Sequence, residues 1–159
     1  MSAKDVPLSG EKYMNERLEQ SRKIVKDYMW WSMGAGLIPL FVVDIAAVTG
    51  VQLKMLSKLS QHYNIPFSND RAKAIILSLL STLSASTLAK GLLVSSIKTI
   101  PILGSLTTPF IMPTVSAAVT YSIGAVFIQH FESGGTLLDF DPEKTKEFFK
   151  LNFEERFKK

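Results

Sequence analysis

From Ala74 to Phe131 the chain carries only two charged side chains, Lys90 and Lys98. So long a stretch with so little charge belongs either in the buried centre of a helical bundle or in lipid. Most of the charge falls in residues 1–28 and 132–159. The apolar fraction, 47%, is ordinary for a soluble protein, so the information lies in the segregation and not in the average. The formal net charge of +4 suits an anionic membrane surface or an acidic partner. No Lys/Arg cluster is interleaved with aromatics, which argues against nucleic acid as a partner. The chain has no cysteine, so disulfides and thiolate metal sites are excluded. A long polar stretch precedes the first apolar run, unlike a secretory signal, and a cytoplasmic N-terminus is expected.

Residues 1–10 read as a disordered tail and 11–159 as a single helical domain. Glu11 to Tyr28 has no interior Gly or Pro and reads as a helix, with Tyr13, Leu18, Ile24 and Val25 among many charges. Arg22, Lys23 and Lys26 stand just before Trp30-Trp31, a pairing typical of headgroup depth. The alternative for this helix is an ordinary solvated one. Tyr28 to Val43 is uncharged but short for a span and holds Gly34, Gly36 and Pro39, so a buried or re-entrant segment broken near Ile38 is expected. A second helix runs from about Val42 to Tyr63 and is stopped by Asn64-Ile65-Pro66. Ser68-Asn69-Asp70 caps a third, from Asp70 to about Lys98. Thr99 to Met112, with Pro101, Gly104 and Pro109, reads as a connection. A fourth helix follows from Pro113 to Phe131 and ends at Gly134-Gly135. Asp141-Pro142-Glu143 opens a short amphipathic helix that ends near Phe157. No strand alternation persists. The expected fold is all-α: a bundle with a two-helix apolar membrane hairpin and amphipathic helices at both ends.

Small residues recur at four-residue spacing in the hairpin. They are Ser78, Thr82 and Ser86 in the third helix, and Ser116, Thr120 and Gly124 in the fourth. Such ridges let helix backbones approach closely and let hydroxyls bond across the contact. In water they bury little apolar area, so a membrane setting is favoured over a tightly packed soluble bundle. Lys54, Lys58, Arg71 and Lys73 before the hairpin, with Lys144 and Lys146 after it, place both termini in the cytoplasm by the positive-inside rule, with two crossings between.

Asp44 is isolated in apolar sequence, uncharged for sixteen residues upstream. Three readings are open: a cap of the second helix, an ion pair with Arg71, Lys54 or Lys90, or a proton or ion relay. Lys90 and Lys98 interrupt the hairpin and either snorkel to an interface or face a polar interior. His62 and His130 lack a second ligand at metal spacing. Gly34-Ala35-Gly36 lacks the strand and Lys-Ser/Thr of a phosphate loop. No catalytic constellation, cofactor site or metal site is indicated.

Three stretches carry a family resemblance. The run from Asp44 to Met55, Asp-Ile-Ala-Ala-Val-Thr-Gly-Val-Gln-Leu-Lys-Met, follows Gly36-Leu37-Ile38-Pro39. Ile65-Pro66-Phe67 precedes Arg71-Ala72-Lys73-Ala74. Phe127-Ile128-Gln129-His130-Phe131-Glu132-Ser133-Gly134-Gly135-Thr136-Leu137-Leu138-Asp139-Phe140 stands near the C-terminus. Together they resemble the YcjF-like bacterial domain of unknown function that often accompanies GTPases, over about residues 30–150. The resemblance implies a membrane-associated helical domain of a bacterial inner membrane with no assigned activity. Members often have a second proline where Phe41 stands and a lysine where Ala125 stands, so neither the geometry of that turn nor any role of that lysine carries over. No GTPase motif is present in this chain.

The candidate functional or structural polar residues are therefore Asp44, Gln52, Lys54, Arg71, Lys90, Gln129, His130 and Glu132. The expected function is a non-enzymatic membrane scaffold or adaptor with a GTPase as a candidate partner. The alternatives are a homo-oligomeric pore using Asp44 and Lys90, and a soluble lipid-carrying bundle.

Overall fold

The computed structural model describes the backbone of residues 10–35, 41–90 and 104–157, with side chains over 10–34, 49–83 and 115–157. Residues 1–9 of the expected tail, Lys98 and residues 99–103 of the expected connection lie outside the described residues. Helices are the only regular elements within them: α1 (Gly10–Ala35), α2 (Phe41–His62), α3 (Asn69–Lys90), α4 (Gly104–Glu132) and α5 (Pro142–Phe157).

Three of the expected helix ends form as the local chemistry dictates. At the end of α2, Ile65 N–H donates to Ser60 O (2.8 Å) and Asn64 N–H to Gln61 O (3.1 Å), with Asn64 at φ 55°. At the end of α4 the same pair recurs, Gly135 N–H to His130 O (3.0 Å) and Gly134 N–H to Phe131 O (3.0 Å), with Gly134 at φ 83°. Both are Schellman ends, whose left-handed residue is why Asn and Gly stand there. Asp141 caps α5: its Oδ1 accepts from Glu143 N–H at 3.0 Å.

Two boundaries differ from expectation. The apolar run after Tyr28 is no separate segment, because α1 continues through it to Ala35. Ser32 is buried on the same face as Val25 and Met29, and that continuous inner face keeps the helix going. The fourth helix begins at Gly104 and passes through Pro109 and Pro113 instead of starting at Pro113. The two prolines are four residues apart, so the lost N–H bonds fall on one side and the rest of the ladder stays intact.

Hydrogen bonds fix the helix directions. Arg17 meets Glu132, and Ser32 meets Ser116 and Thr120, so α1 and α4 are antiparallel. Gln52 meets Thr120 and Tyr63 meets Glu132, so α2 runs parallel to α4. The short turn 63–68 reverses α3 against α2. One end of the bundle therefore gathers the finish of α1 and α3 with the start of α2 and α4. The opposite end, the base, gathers the start of α1 and α3, the finish of α2 and α4 and the start of α5, which then runs along the bundle until Arg156 reaches Met29 and Tyr121.

The core is continuous toward the base. Met55, Leu56 and Leu59 of α2, Ile75, Ile76 and Leu79 of α3, and Ile123, Val126 and Phe127 of α4 pack with Phe149 of α5. Phe127 stacks on Phe140 at 4.6 Å between centroids, tying the α4–α5 loop to this core. Of its apolar side chains α5 buries Phe149, while Phe148 and Leu151 are exposed, so its apolar residues occupy two faces and not the single stripe expected.

Candidate functional site

The small-residue ridge of α4 is used, but against a different partner from the one expected. Gly124 faces Val25 of α1 so closely that a Cβ there would overlap the Val25 methyls. One turn away, Thr120 Oγ1 donates to Ser32 Oγ at 2.8 Å, and Ser32 Oγ donates to Ser116 O at 3.0 Å. Ser116, Thr120 and Gly124 thus seat α1. In α3, Thr82 Oγ1 donates to Leu79 O of its own helix, and Ser78 supplies its carbonyl to Ser81 Oγ. The Ser86 side chain lies outside the described residues. The small-residue spacing of α4 specifies a close approach, and α1 supplies the complementary face through Val25 and Ser32.

Gln52 is wholly buried beside this seam, its Nε2 3.5 Å from Thr120 Oγ1, and its Oε1 has no partner among the described residues. Ser32, Thr49, Gln52 and Thr120 form a polar layer across α1, α2 and α4.

At the base the polar groups are ionic. Arg17 Nη2 lies 3.0 Å from Glu132 Oε2, and Tyr63 OH donates to Glu132 Oε1 at 2.7 Å. Ser21 Oγ sits 2.7 Å from the Tyr63 oxygen and 2.8 Å from Arg17 O, and His62 Nε2 donates to Arg17 O at 2.9 Å. Burial pushes the Tyr63 phenol up to about 12, with the bond to Glu132 adding to it. Burial disfavours the Glu132 carboxylate, but the bonds from Arg17 and Tyr63 together outweigh it and hold its pKa below the ordinary value. The cluster pins α1, α2 and α4 at one level.

The C-terminal motif is chiefly a structural clasp. His130 Nε2 donates to Thr136 O at 2.8 Å. Asp139 Oδ1 accepts from both Thr136 N–H and Thr136 Oγ1 at 2.6 Å, which lowers its pKa. Arg71 of α3 donates to Leu138 O at 2.7 Å.

The candidate residues thus separate. Glu132, His130 and Arg71 belong to the base, and Gln52 to the polar seam. Gln129 and Lys54 are exposed. Asp44 is the fourth residue of α2, inside the first turn and not capping it, because the helix starts at Phe41. Its side chain and that of Lys90 lie outside the described residues. Sequence reasoning missed Arg17, Ser21, Ser32 and Tyr63. The signal was present for α1: Leu18, Ser21, Val25, Met29 and Ser32 recur at three- and four-residue spacing.

The other end of the bundle differs in every respect. Trp30 and Trp31 stand 64% and 72% exposed near the end of α1. Beyond the level of Ser32, α2 reaches back from Gln52 to Phe41 and α4 from Ser116 to Gly104. At about 1.5 Å per residue these are projections of roughly 16 and 18 Å. Their sequences contain no charge except Asp44, and α3 reaches the same end with Lys90 as its last residue. Among the described residues no helix is long and apolar enough to cross a membrane.

The fold and these two ends define an all-helical domain with a charged base and an apolar far end. A family model, "Domain of unknown function (DUF697)", matches residues 3–158, and the chain belongs to that family. It is also similar to "Magnetosome membrane protein 22" of Magnetospirillum gryphiswaldense, 32% identical over 134 residues, which cover 84% of this chain and 69% of that protein. No solved structure matches the chain.

Proposed function

We propose that this protein is a non-enzymatic, membrane-attached adaptor that enters one leaflet through the far end of its bundle. It presents the charged base, the His130–Phe140 loop and α5 to a protein partner. The observation that carries the reading is the polarity along the bundle axis. Helix projections of roughly 16 to 18 Å, nearly uncharged, match about half of the ~30 Å hydrocarbon core, and exposed tryptophans stand where that core would meet the headgroups. Insertion of the four helix ends into one leaflet needs no complete crossing, which is why it replaces the two-crossing hairpin. Prolines inside α4 are compatible with an apolar setting, where neighbouring groups re-satisfy the freed backbone. The name of the magnetosome relative, a membrane protein, agrees with the reading. A GTPase is the partner class that the family resemblance suggests.

The test is flotation with lipid vesicles. The native chain should float with vesicles and resist carbonate extraction, and replacing both Trp30 and Trp31 by alanine should weaken binding. Partial burial of two indoles is worth about 2–4 kcal/mol for the pair, or about 30- to 1,000-fold in affinity. A native chain that stays in the soluble fraction would overturn the proposal.

A further inference from the structure

A groove of about 660 Å³ opens between α1 and α5, floored by α4. Val25, Ala125, Ile128, Tyr121 and Phe148 give it an apolar floor, and Gln129, Ser133 and Asn152 add polar groups to its wall. Its rim carries Arg22 and Lys26, one turn apart and both exposed. Neither forms an ion pair with a carboxylate among the described residues. Glu132 also borders the groove, but its two oxygens are already engaged by Arg17 and Tyr63. The volume lies within the ~300–1,000 Å³ range of small-molecule sites. Cationic mouth and apolar floor are complementary to an anionic amphiphile.

The position selects which amphiphile. Lys26 and Arg22 precede Trp30 by one and two turns of α1, about 6 and 12 Å along its axis. A headgroup layer extends roughly 5–8 Å beyond the hydrocarbon on each side. With the tryptophans at the hydrocarbon boundary, Lys26 falls within the phosphate layer, and the Arg22 backbone stands roughly 4 Å outside it, within reach of its long side chain. We propose that the groove binds one anionic phospholipid, its phosphate between Arg22 and Lys26 and its glycerol and first methylenes against Ala125 and Tyr121, on the side toward the tryptophans. Only the source of the lipid rests on the membrane reading above; the site itself does not.

The experiment uses dihexanoylphosphatidylglycerol below its micelle concentration, with dihexanoylphosphatidylcholine and inorganic phosphate as comparison ligands, read by calorimetry on the full chain. The phosphatidylglycerol should bind saturably at one site, more tightly than either comparison ligand. Arg22→Gln with Lys26→Gln should weaken it about 30-fold, taking ~1 kcal/mol per basic residue. Lys23→Gln, the same charge change on the same helix outside the groove, should leave it unaltered. Ala125→Phe, with its helical circular dichroism intact, should block it. Absence of binding would overturn the site. Equal affinity for inorganic phosphate would overturn the lipid assignment, and equal sensitivity to Lys23→Gln would reduce it to diffuse surface charge. Vesicle flotation is read separately: a chain that binds the soluble lipid but not vesicles retains the groove and loses the membrane-insertion reading.

Discussion

Replacing Gly124 by alanine places a Cβ on the methyls of Val25, a β-branched side chain only 2% exposed. Val25 has little rotameric freedom in a helix, so α1 itself must shift. Overpacking of this kind costs about 2–3 kcal/mol, while glycine to alanine within a helix returns about 1 kcal/mol. Gly124→Ala is therefore expected to destabilise by about 1–2 kcal/mol. Val25→Ala alone removes two buried methyl groups and should cost about 2 kcal/mol. In the double variant the new Cβ occupies space that Val25 vacates, and the total should be about 1 kcal/mol where additivity requires more than 3. Urea unfolding followed by helical circular dichroism, on all four proteins in the same detergent, measures the cycle. Additive effects, or a stabilising Gly124→Ala in the Val25 background, would refute the α1–α4 contact on which the fold description rests.

Other outcomes follow from the polar groups. Gln52→Met should stabilise by about 1–2 kcal/mol, because it removes a buried Oε1 that has no partner among the described residues; destabilisation in urea unfolding would show that this oxygen is bonded. The lowered pKa of Glu132 means that its contribution is present above the unfolded value and is lost as pH falls through the folded one. Glu132→Gln should cost about 1 kcal/mol or less at neutral pH, given the partly exposed Arg17, and the gap to the native chain should close under acid. Tyr63 stabilises in the opposite sense: its raised pKa gives stability that is present below the ordinary phenol value of 10 and is lost as pH rises through about 12. An absorbance titration of the phenols should show one late phase that Tyr63→Phe removes.

Much of the architecture is legible in local chemistry. The Schellman ends at Asn64 and Gly134 and the cap at Asp141 each need only a few adjacent residues, and all three form where the sequence places them. The choice of helix partner is a different matter. Ser116, Thr120 and Gly124 announce a close approach without naming the helix that makes it, and α3 offers the same spacing as a decoy. The matching face on α1 is hidden because its charges dominate the pattern around Val25 and Ser32. Pro109 and Pro113 read as a break and a helix start, yet α4 passes through both, since each proline removes only one N–H from the ladder. The ionic base was half visible: Glu132 lies in the C-terminal motif, whereas Arg17 is 115 positions away in sequence and nothing local links them.

The central claim, insertion of one bundle end into a single leaflet, is tested most directly by the two tryptophans, the only ones in the chain. Their emission is measured in vesicles that carry bromine at graded depths along the acyl chain. The account predicts a blue shift on binding and strongest quenching by the shallowest bromines, reduced to one fluorophore's share in Trp30→Phe and in Trp31→Phe. Emission unchanged by vesicles, or quenched most by bromines at the bilayer midplane, would contradict it.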